Sequence, residues 1–148
     1  MYFEQLRVGM AVDVAPVVIE KEAIVDFARR YDDLPMHTDE AYAKAGPFGG
    51  IIASGMLTYL TVWSRYLAHD LFEGGLLAGK SSKIEWHRPV YPGDTLTGRA
   101  EITALTPRSA RNGLAELTLH IRNQHGEEVL TAVNEAVVKC LPKTAEDK

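Results

Sequence analysis

The chain has 148 residues, of which 46% are hydrophobic and 24% are charged, and this globular composition excludes a disordered protein. Its 16 basic and 20 acidic residues give a net charge of −4, so it lacks the basic excess that a nucleic-acid partner requires. The single cysteine, Cys140, excludes an internal disulfide and multi-cysteine zinc sites, and it predicts a reducing, cytoplasmic compartment.

The length and the absence of repeats, linkers and low-complexity segments predict one domain spanning residues 1–148. The first ten residues have no apolar run, which argues against a signal peptide. The longest uncharged stretch, residues 45–64, contains proline and several glycines. It therefore predicts a loop that leads into a buried helix, with no membrane span. Residues 143–148 are polar and are expected to form a disordered tail.

The first third of the chain predicts a strand followed by short helices. The valine-rich segment Ala11–Ile19 is typical of a strand, and Glu20–Tyr31 places its apolar residues at helical spacing. Asp32–His37, with a proline inside it, is predicted to break that helix. Asp39–Ala45 then predicts a short helical turn.

A long helix is predicted over Ile52–Ala68. The first charged residue in this segment is Arg65, so the helix is apolar nearly all round. A helix of that kind is expected to be surrounded by protein on most sides.

Four later segments alternate apolar and polar residues with the period of two that a half-buried strand shows. They are residues 83–87, 95–104, 115–122 and 128–140. His125-Gly126, between the last two, fits a short hairpin turn. The pattern predicts an α+β fold in which a curved antiparallel sheet lies against one long helix. With a single long helix to cover the sheet, its edges are expected to pair with a second copy of the chain.

A polar cluster at residues 31–39 is the first candidate for chemistry. The bend at Pro35 could point Asp32 and His37 into one pocket, where a carboxylate and an imidazole can hold and activate a water molecule. The alternative is that both are ordinary turn residues. A metal site that adds Asp39 has little support, because no second histidine lies near in sequence and H-x-D alone is a weak signal.

The start of the long helix is the second candidate. Free backbone N–H groups at Ser54-Gly55 could polarise a carbonyl oxygen, and a glycine would let a ligand approach closely. The alternative is that Gly55 is small because the sheet crosses the helix tightly there. The chain has no G-x-S-x-G, G-x-G-x-x-G or P-loop motif, so nothing supports a serine hydrolase of that type or nucleotide chemistry.

Three segments in order resemble the MaoC-like hydratases, the hot-dog-fold family that includes the (R)-specific enoyl-CoA hydratases. The first has the spacing Asp, two residues, Pro, one residue, His at residues 32–37, with Asp39 at the family's acidic position. The second is Phe48–Gly55 and the third is Arg88–Leu96. The resemblance covers nearly the whole chain.

The resemblance implies a hot-dog fold, a homodimer or higher homo-oligomer, and an acyl-CoA or acyl-carrier thioester as substrate. It implies a hydro-lyase in which Asp32 and His37 activate water for addition across a trans-2-enoyl double bond. The amide of Gly55 would polarise the thioester carbonyl. No metal and no cofactor are expected apart from coenzyme A as part of the substrate.

Further residues are expected to contact the substrate. Pocket depth should depend on helix residues such as Met56, Tyr59 and Trp63. The two bulky rings favour a shorter or shaped acyl group, and the alternative is that they are plain core aromatics. Ser54 is expected to bind substrate. The coenzyme A phosphates need cationic partners, for which the candidates are Arg88, Arg108, Arg111 and Lys80.

Two departures from the family pattern keep other functions open. Leu34 stands where the family usually has Asn or Gln, and Ser54 stands where many enoyl-CoA hydratases have His. One alternative is a hot-dog acyl-CoA thioesterase that uses a loop carboxylate such as Asp33 or Asp39. The other is a non-catalytic acyl-binding subunit, which Leu34 favours.

Overall fold

A computed structural model describes residues 1–144 as four α-helices and five β-strands. The helices are α1 (Lys21–Tyr31), α2 (Pro35–Thr38), α3 (Glu40–Ala45) and α4 (Gly55–Tyr66). The strands are β1 (Ala11–Val18), β2 (Leu76–Trp86), β3 (Thr95–Pro107), β4 (Asn112–Arg122) and β5 (Glu128–Lys139). The predicted disordered tail at 143–148 falls mainly on residues outside the described part of the chain.

The five strands form one antiparallel sheet in the order β1-β3-β4-β5-β2, and α4 packs on its inner face. The inner face is apolar, with fully buried side chains such as Leu96, Leu119 and Leu130 on the three central strands. Gly98 on β3 lets the helix approach, because a Cβ there would lie 2.6 Å from Cγ1 of Val62. The predicted α+β arrangement of one long helix against an antiparallel sheet is confirmed.

The segment after α1 is more helical than the sequence predicted. Asp32 ends α1, and Pro35 then starts the single helical turn α2. Proline disrupts a helix interior but is well suited to the first helical position, where its missing N–H has no partner to lose. The prediction of a non-helical bend over Asp32–His37 is therefore correct only up to Leu34.

Helix α4 begins three residues later than predicted. Ile52 and Ala53 precede the helix and are buried, and their N–H groups donate to the carbonyl oxygens of Met36 and Val90. Eight of the twelve residues of α4 are buried or partly buried, as expected of a helix with protein on most sides. The side chains of Met56 and Leu60 remain more than 40% exposed, which leaves one face of α4 uncovered.

Strand β2 forms one edge of the sheet and extends well before the predicted segment 83–87. Ten of its eleven residues are exposed. Within residues 1–144, no other strand pairs with its outer side. The predicted turn between β4 and β5 is confirmed: Gly126 has a φ of 73° and donates to the carbonyl oxygen of Asn123.

Among the described residues, no helix has the length and apolar character that crossing a bilayer requires.

Candidate active site

Asp32 and His37 meet at one end of the groove beside α4. Oδ2 of Asp32 lies 3.4 Å from Nε2 of His37. The end of α1 positions the carboxylate, while α2 turns the imidazole back towards it. His37 is 4% exposed and Asp32 is half-buried, so the imidazole is fixed in protein while the carboxylate reaches solvent.

A second contact of His37 sets the proton position on its ring. Nδ1 lies 2.6 Å from the carbonyl oxygen of Ile52. Because a carbonyl oxygen only accepts hydrogen bonds, Nδ1 carries the hydrogen and donates it. In the neutral ring, Nε2 then keeps its lone pair on the side of Asp32, where it can accept a proton.

Ser54 holds the carboxylate of Asp32 from the other side. Its hydroxyl donates a hydrogen bond of 2.8 Å to Oδ2 of Asp32, and the serine is fully buried. Ser54 was predicted to bind substrate. The structure places it directly before α4, with its hydroxyl hydrogen directed to the carboxylate.

Gly55 is the first residue of α4, so its N–H has no acceptor within the helix and carries partial positive charge. The indole of Trp86 covers the α-carbon, since a Cβ on Gly55 would lie 2.1 Å from Nε1. The sequence left open a tight crossing of the sheet at Gly55, and the close contact is with this side chain of β2.

These groups open into a cavity of about 500 Å³. Of the predicted substrate-binding residues, Ser54, Met56 and Arg88 line it. Several further lining residues were not predicted to contact substrate. They include Phe48, Thr58, Trp86, His87, Val90 and Val129. The alternation of residues 83–87 marks Trp86 as an inner-face residue, and that signal could have identified it.

Tyr59 and Trp63, also predicted to bind substrate, line a different cavity of about 440 Å³ towards the other end of α4. Their rings stack, with centroids 5.9 Å apart. Burial raises the pKa of the Tyr59 hydroxyl, which keeps it protonated and able to donate.

Arg88 forms an ion pair with Glu127. Its guanidinium lies 2.8 Å from Oε2 of Glu127, and its side chain is 56% exposed. Exposed ion pairs contribute little energy, so an anionic group of a ligand could replace Glu127 as its partner.

The other loop residues that the sequence raised as candidates, Asp33, Leu34 and Asp39, do not line this cavity. Asp33 is exposed, and Asp39 accepts a hydrogen bond from the Tyr42 N–H, which caps α3. Leu34 is 44% exposed, and its carbonyl oxygen accepts a hydrogen bond from the His37 N–H. The described residues contain no cluster of three or more His, Cys, Asp or Glu that could hold a metal ion.

A chain of polar groups runs from the cavity onto the outer face of the sheet. Nε2 of His87 lies 2.9 Å from the hydroxyl of Thr131, which donates to Glu128. His120 also contacts Glu128, at 2.5 Å. These contacts, with that to His120 the strongest, lower the pKa of Glu128.

Comparison with known proteins places the fold. Residues 4–123 match the family described as MaoC like domain. A solved structure, the MaoC-like dehydratase from Rhodospirillum rubrum, is 30% identical with a TM-score of 0.85, covering 97% of this chain and 99% of that one. The predicted hot-dog fold is therefore confirmed.

Two curated proteins are similar over most of their length. The (R)-specific enoyl-CoA hydratase of Aeromonas caviae is 31% identical over 140 residues, which are 94% of this chain and 98% of that protein. The uncharacterized protein YdeM of Bacillus subtilis is 29% identical over 130 residues, which are 87% of this chain and 91% of that protein.

Proposed function

The chain belongs to the MaoC-like domain family, and from that premise we propose that it is a hydro-lyase acting on enoyl thioesters. It would add water across, or remove it from, the double bond of a trans-2-enoyl-CoA or the equivalent carrier-bound acyl group. The observation that carries the proposal is the Asp32–His37 pair, 3.4 Å apart, in a cavity that also contains the first residue of α4.

The pair can activate water without a metal. A water between the two groups donates one hydrogen to the carboxylate of Asp32 and the other to Nε2 of His37. As its oxygen attacks the β-carbon, one O–H bond breaks and the pair takes the proton. The same pair then returns that proton to the α-carbon, so the elements of water are added and the protein is unchanged.

The start of α4 supplies the complementary electrostatics. Attack at the β-carbon builds negative charge on the thioester oxygen, which the N–H of Gly55 would stabilise. Because Trp86 covers the glycine from one side, the thioester would have to approach from the side of Asp32. Arg88 lies in the cavity lining and would exchange Glu127 for a phosphate of coenzyme A. No further cofactor enters this proposal.

The experiment follows two signals in parallel. The purified protein is mixed with crotonyl-CoA, and loss of the conjugated enone absorbance and release of free thiol are both recorded. We expect enone loss without thiol, abolished in Asp32→Asn and His37→Ala. Asp33→Asn is the matched control, because it removes a neighbouring exposed carboxylate outside the cavity, and it should retain activity.

Two results would contradict the hydratase. Thiol release lost on mutation of Asp33 or Asp39 would make the protein a thioesterase, although neither residue lines the cavity. Crotonyl-CoA turnover that is equal in the wild type and in Asp32→Asn would favour the non-catalytic subunit.

The assembly belongs to the same proposal. Strand β2 exposes Leu76 and Leu77 beside the uncovered face of α4, where Met56, Leu60 and Leu67 are also exposed. Unpaired strand edges and exposed apolar side chains favour association, so this surface would pair two copies as a homodimer.

Enoyl thioester chemistry would place the enzyme in fatty acid metabolism, and its lone cysteine fits the cytoplasm.

A further inference from the structure

The groove between α4 and the sheet edge formed by β5 and β2 contains two cavities. The first, with Asp32 and His37, lies at the start of α4 and has a volume of about 500 Å³. The second, of about 440 Å³, lies towards the end of α4, with aromatic walls that include Trp63, Tyr66 and Phe72. Two cavities in one groove raise the question of what separates them.

A hydrogen-bonded cluster, here called the Asn134 network, joins three elements across this groove and is buried at Tyr59 and Asn134 but exposed at Ser82. The hydroxyls of Tyr59 on α4 and Ser82 on β2 both donate to Oδ1 of Asn134 on β5, each at 2.7 Å. Nδ2 of Asn134 donates to the carbonyl oxygen of Leu117 at 3.3 Å, which fixes the orientation of the amide.

The Asn134 network lies at the boundary between the two cavities. The first cavity ends at Thr58 on α4 and the second begins at Tyr59. Along β2 and β5, Ser82 and Asn134 are the second cavity's lining residues nearest in sequence to those of the first, which are Trp86 and Val129. On all three elements, the second cavity's lining residue nearest to the first cavity belongs to the network, although on the sheet the Ile84–Ala132 pair lies between the network and Trp86.

This boundary resists displacement by an apolar chain. Tyr59 and Asn134 are 7% and 6% exposed, so both partners of this hydrogen bond are largely removed from bulk solvent. A methylene chain that passed between them would leave buried donors and an acceptor without partners. Fully satisfied buried networks of this kind are also rigid.

We propose that the Asn134 network closes the acyl end of the active-site cavity and restricts the enzyme to short acyl chains. The inference rests on the proposed function, since it assumes an acyl thioester bound with its carbonyl at Gly55. Tyr59 follows Gly55 by about one helical turn, or about 6 Å along the axis of α4. A short chain therefore fits before the network, whereas a longer one would have to enter the second cavity.

The test compares chain lengths in variants that open the boundary. Asn134→Gly removes the central amide, Tyr59→Leu removes the ring, and Tyr59→Phe removes only the hydroxyl. For each, kcat/KM is measured with crotonyl-CoA and with trans-2-octenoyl-CoA. We expect the octenoyl-to-crotonyl ratio to rise at least about tenfold in Asn134→Gly and Tyr59→Leu, because added methylenes then gain an apolar site.

Two serine variants on β2 distinguish the effect of the network from that of a neighbouring hydroxyl. Ser82→Ala removes one donor of the network and should raise the ratio, though less than Asn134→Gly does. Ser81→Ala removes the neighbouring hydroxyl, which bonds Glu135 outside the network, and should leave the ratio unchanged. Thermal melts establish which variants are folded. If Asn134→Gly and Tyr59→Leu fail to fold, Tyr59→Phe and Ser82→Ala decide the question. An unchanged ratio in the folded variants overturns the proposal.

A binding measurement distinguishes this inference from the proposed function. Calorimetric titration with butyryl-CoA and octanoyl-CoA, which cannot be hydrated, reports chain-length preference without turnover. One informative outcome is a wild type that hydrates no enoyl-CoA yet prefers butyryl-CoA, with Asn134→Gly removing that preference. That result would support the chain-length limit set by the Asn134 network and overturn the proposed hydratase activity. If the wild type binds octanoyl-CoA as tightly as butyryl-CoA, the boundary is wrong. If neither ligand binds, both proposals are overturned.

Discussion

The indole of Trp86 lies against the α-carbon of Gly55, so the edge strand β2 touches the first residue of α4. The contact leaves no space for a Cβ, which would lie 2.1 Å from Nε1 of the indole. It also holds the edge strand and the helix start in one arrangement around the cavity. The requirement for glycine here comes from a neighbouring ring, since the backbone conformation of Gly55 is one that any residue adopts.

Gly55→Ala should therefore displace Trp86 and impair the site. We expect a loss of about 1–3 kcal/mol in the free energy of unfolding, typical of overpacking, together with a fall in kcat/KM. Urea denaturation and the crotonyl-CoA assay measure the two effects. Gly50→Ala is the control for stability, because a Cβ there meets no atom within 4 Å. The double variant with Trp86→Leu should recover stability, and additive effects of the two changes would contradict the contact.

Removing the hydroxyl of Ser54 should reduce activity more than stability. Ser54→Ala deletes the hydrogen bond to Oδ2 of Asp32, and a hydrogen bond to a charged group is worth about 1.5–3 kcal/mol. We expect kcat/KM for crotonyl-CoA to fall by about ten- to a hundredfold, mainly through kcat. Ser64→Ala, on the exposed side of the same helix, is the matched change and should have no effect. A KM effect alone would mean that Ser54 binds substrate instead of positioning Asp32.

The two nitrogens of His37 can be tested separately. In His37→Asn, the side-chain amide can still donate to the carbonyl oxygen of Ile52, but nothing replaces Nε2. We expect near-native stability and a loss of activity of about a hundredfold or more. His37→Ala leaves that buried carbonyl without its donor and should also lose about 1–3 kcal/mol in urea unfolding. Wild-type activity in His37→Asn would remove His37 from the chemistry.

Glu128 predicts a specific pH dependence of stability. Hydrogen bonds from His120 and Thr131 lower its pKa below the ordinary 4.5, so the carboxylate stabilises the folded state above that pH. This contribution is lost as the pH falls through the lowered folded-state pKa. Glu128→Gln should thus be less stable than the wild type at pH 6, by under about 1 kcal/mol because the pair is more than a third exposed. The difference between the two proteins in urea titrations should shrink as the pH is lowered from 6 through the acid range, and a constant difference would contradict the assignment.

A charge on the edge strand should disrupt the proposed dimer. Leu77 on β2 is 56% exposed, and Leu77→Lys would place an ammonium group in the paired surface. We expect light scattering to show the wild type at twice the monomer mass and the variant at the monomer mass. Val8→Lys is the control, since Val8 is 62% exposed in a turn far from β2 in sequence. A monomeric wild type would contradict the proposal directly.

Much of the fold could be predicted from local pattern. Strands β3, β4 and β5 bury one face, so apolar and polar residues alternate along them. This alternation predicts both that the segments are strands and where they lie in the sequence. Helix α1 buries Ile24 and Ala28 on one side only, so its apolar residues recur at helical spacing and predict a helix. The encounter of Asp32 with His37 was also predictable, because Pro35 forces the chain to change direction between them.

The remaining features depend on long-range contacts that no local pattern encodes. Most of β2 is exposed on both faces, so it carries no alternation outside residues 83–87. The start of α4 is set by hydrogen bonds from Ile52 and Ala53 to distant carbonyl oxygens, which keep these two residues out of the helix. Thr58 and Tyr59 are neighbours in sequence, yet they line different cavities, and this division depends on the side chains that β2 and β5 place against α4.

The pairing of β2 with β5 has a consequence for how the protein is made. Leu76 pairs with Val138 and Trp86 with Leu130, so the strand that covers Gly55 is held by β5, the last strand within residues 1–144. Closing so long a loop is entropically unfavourable until the intervening hairpins have formed. On the ribosome, the groove that contains Asp32 and His37 therefore cannot be completed until β5 has emerged.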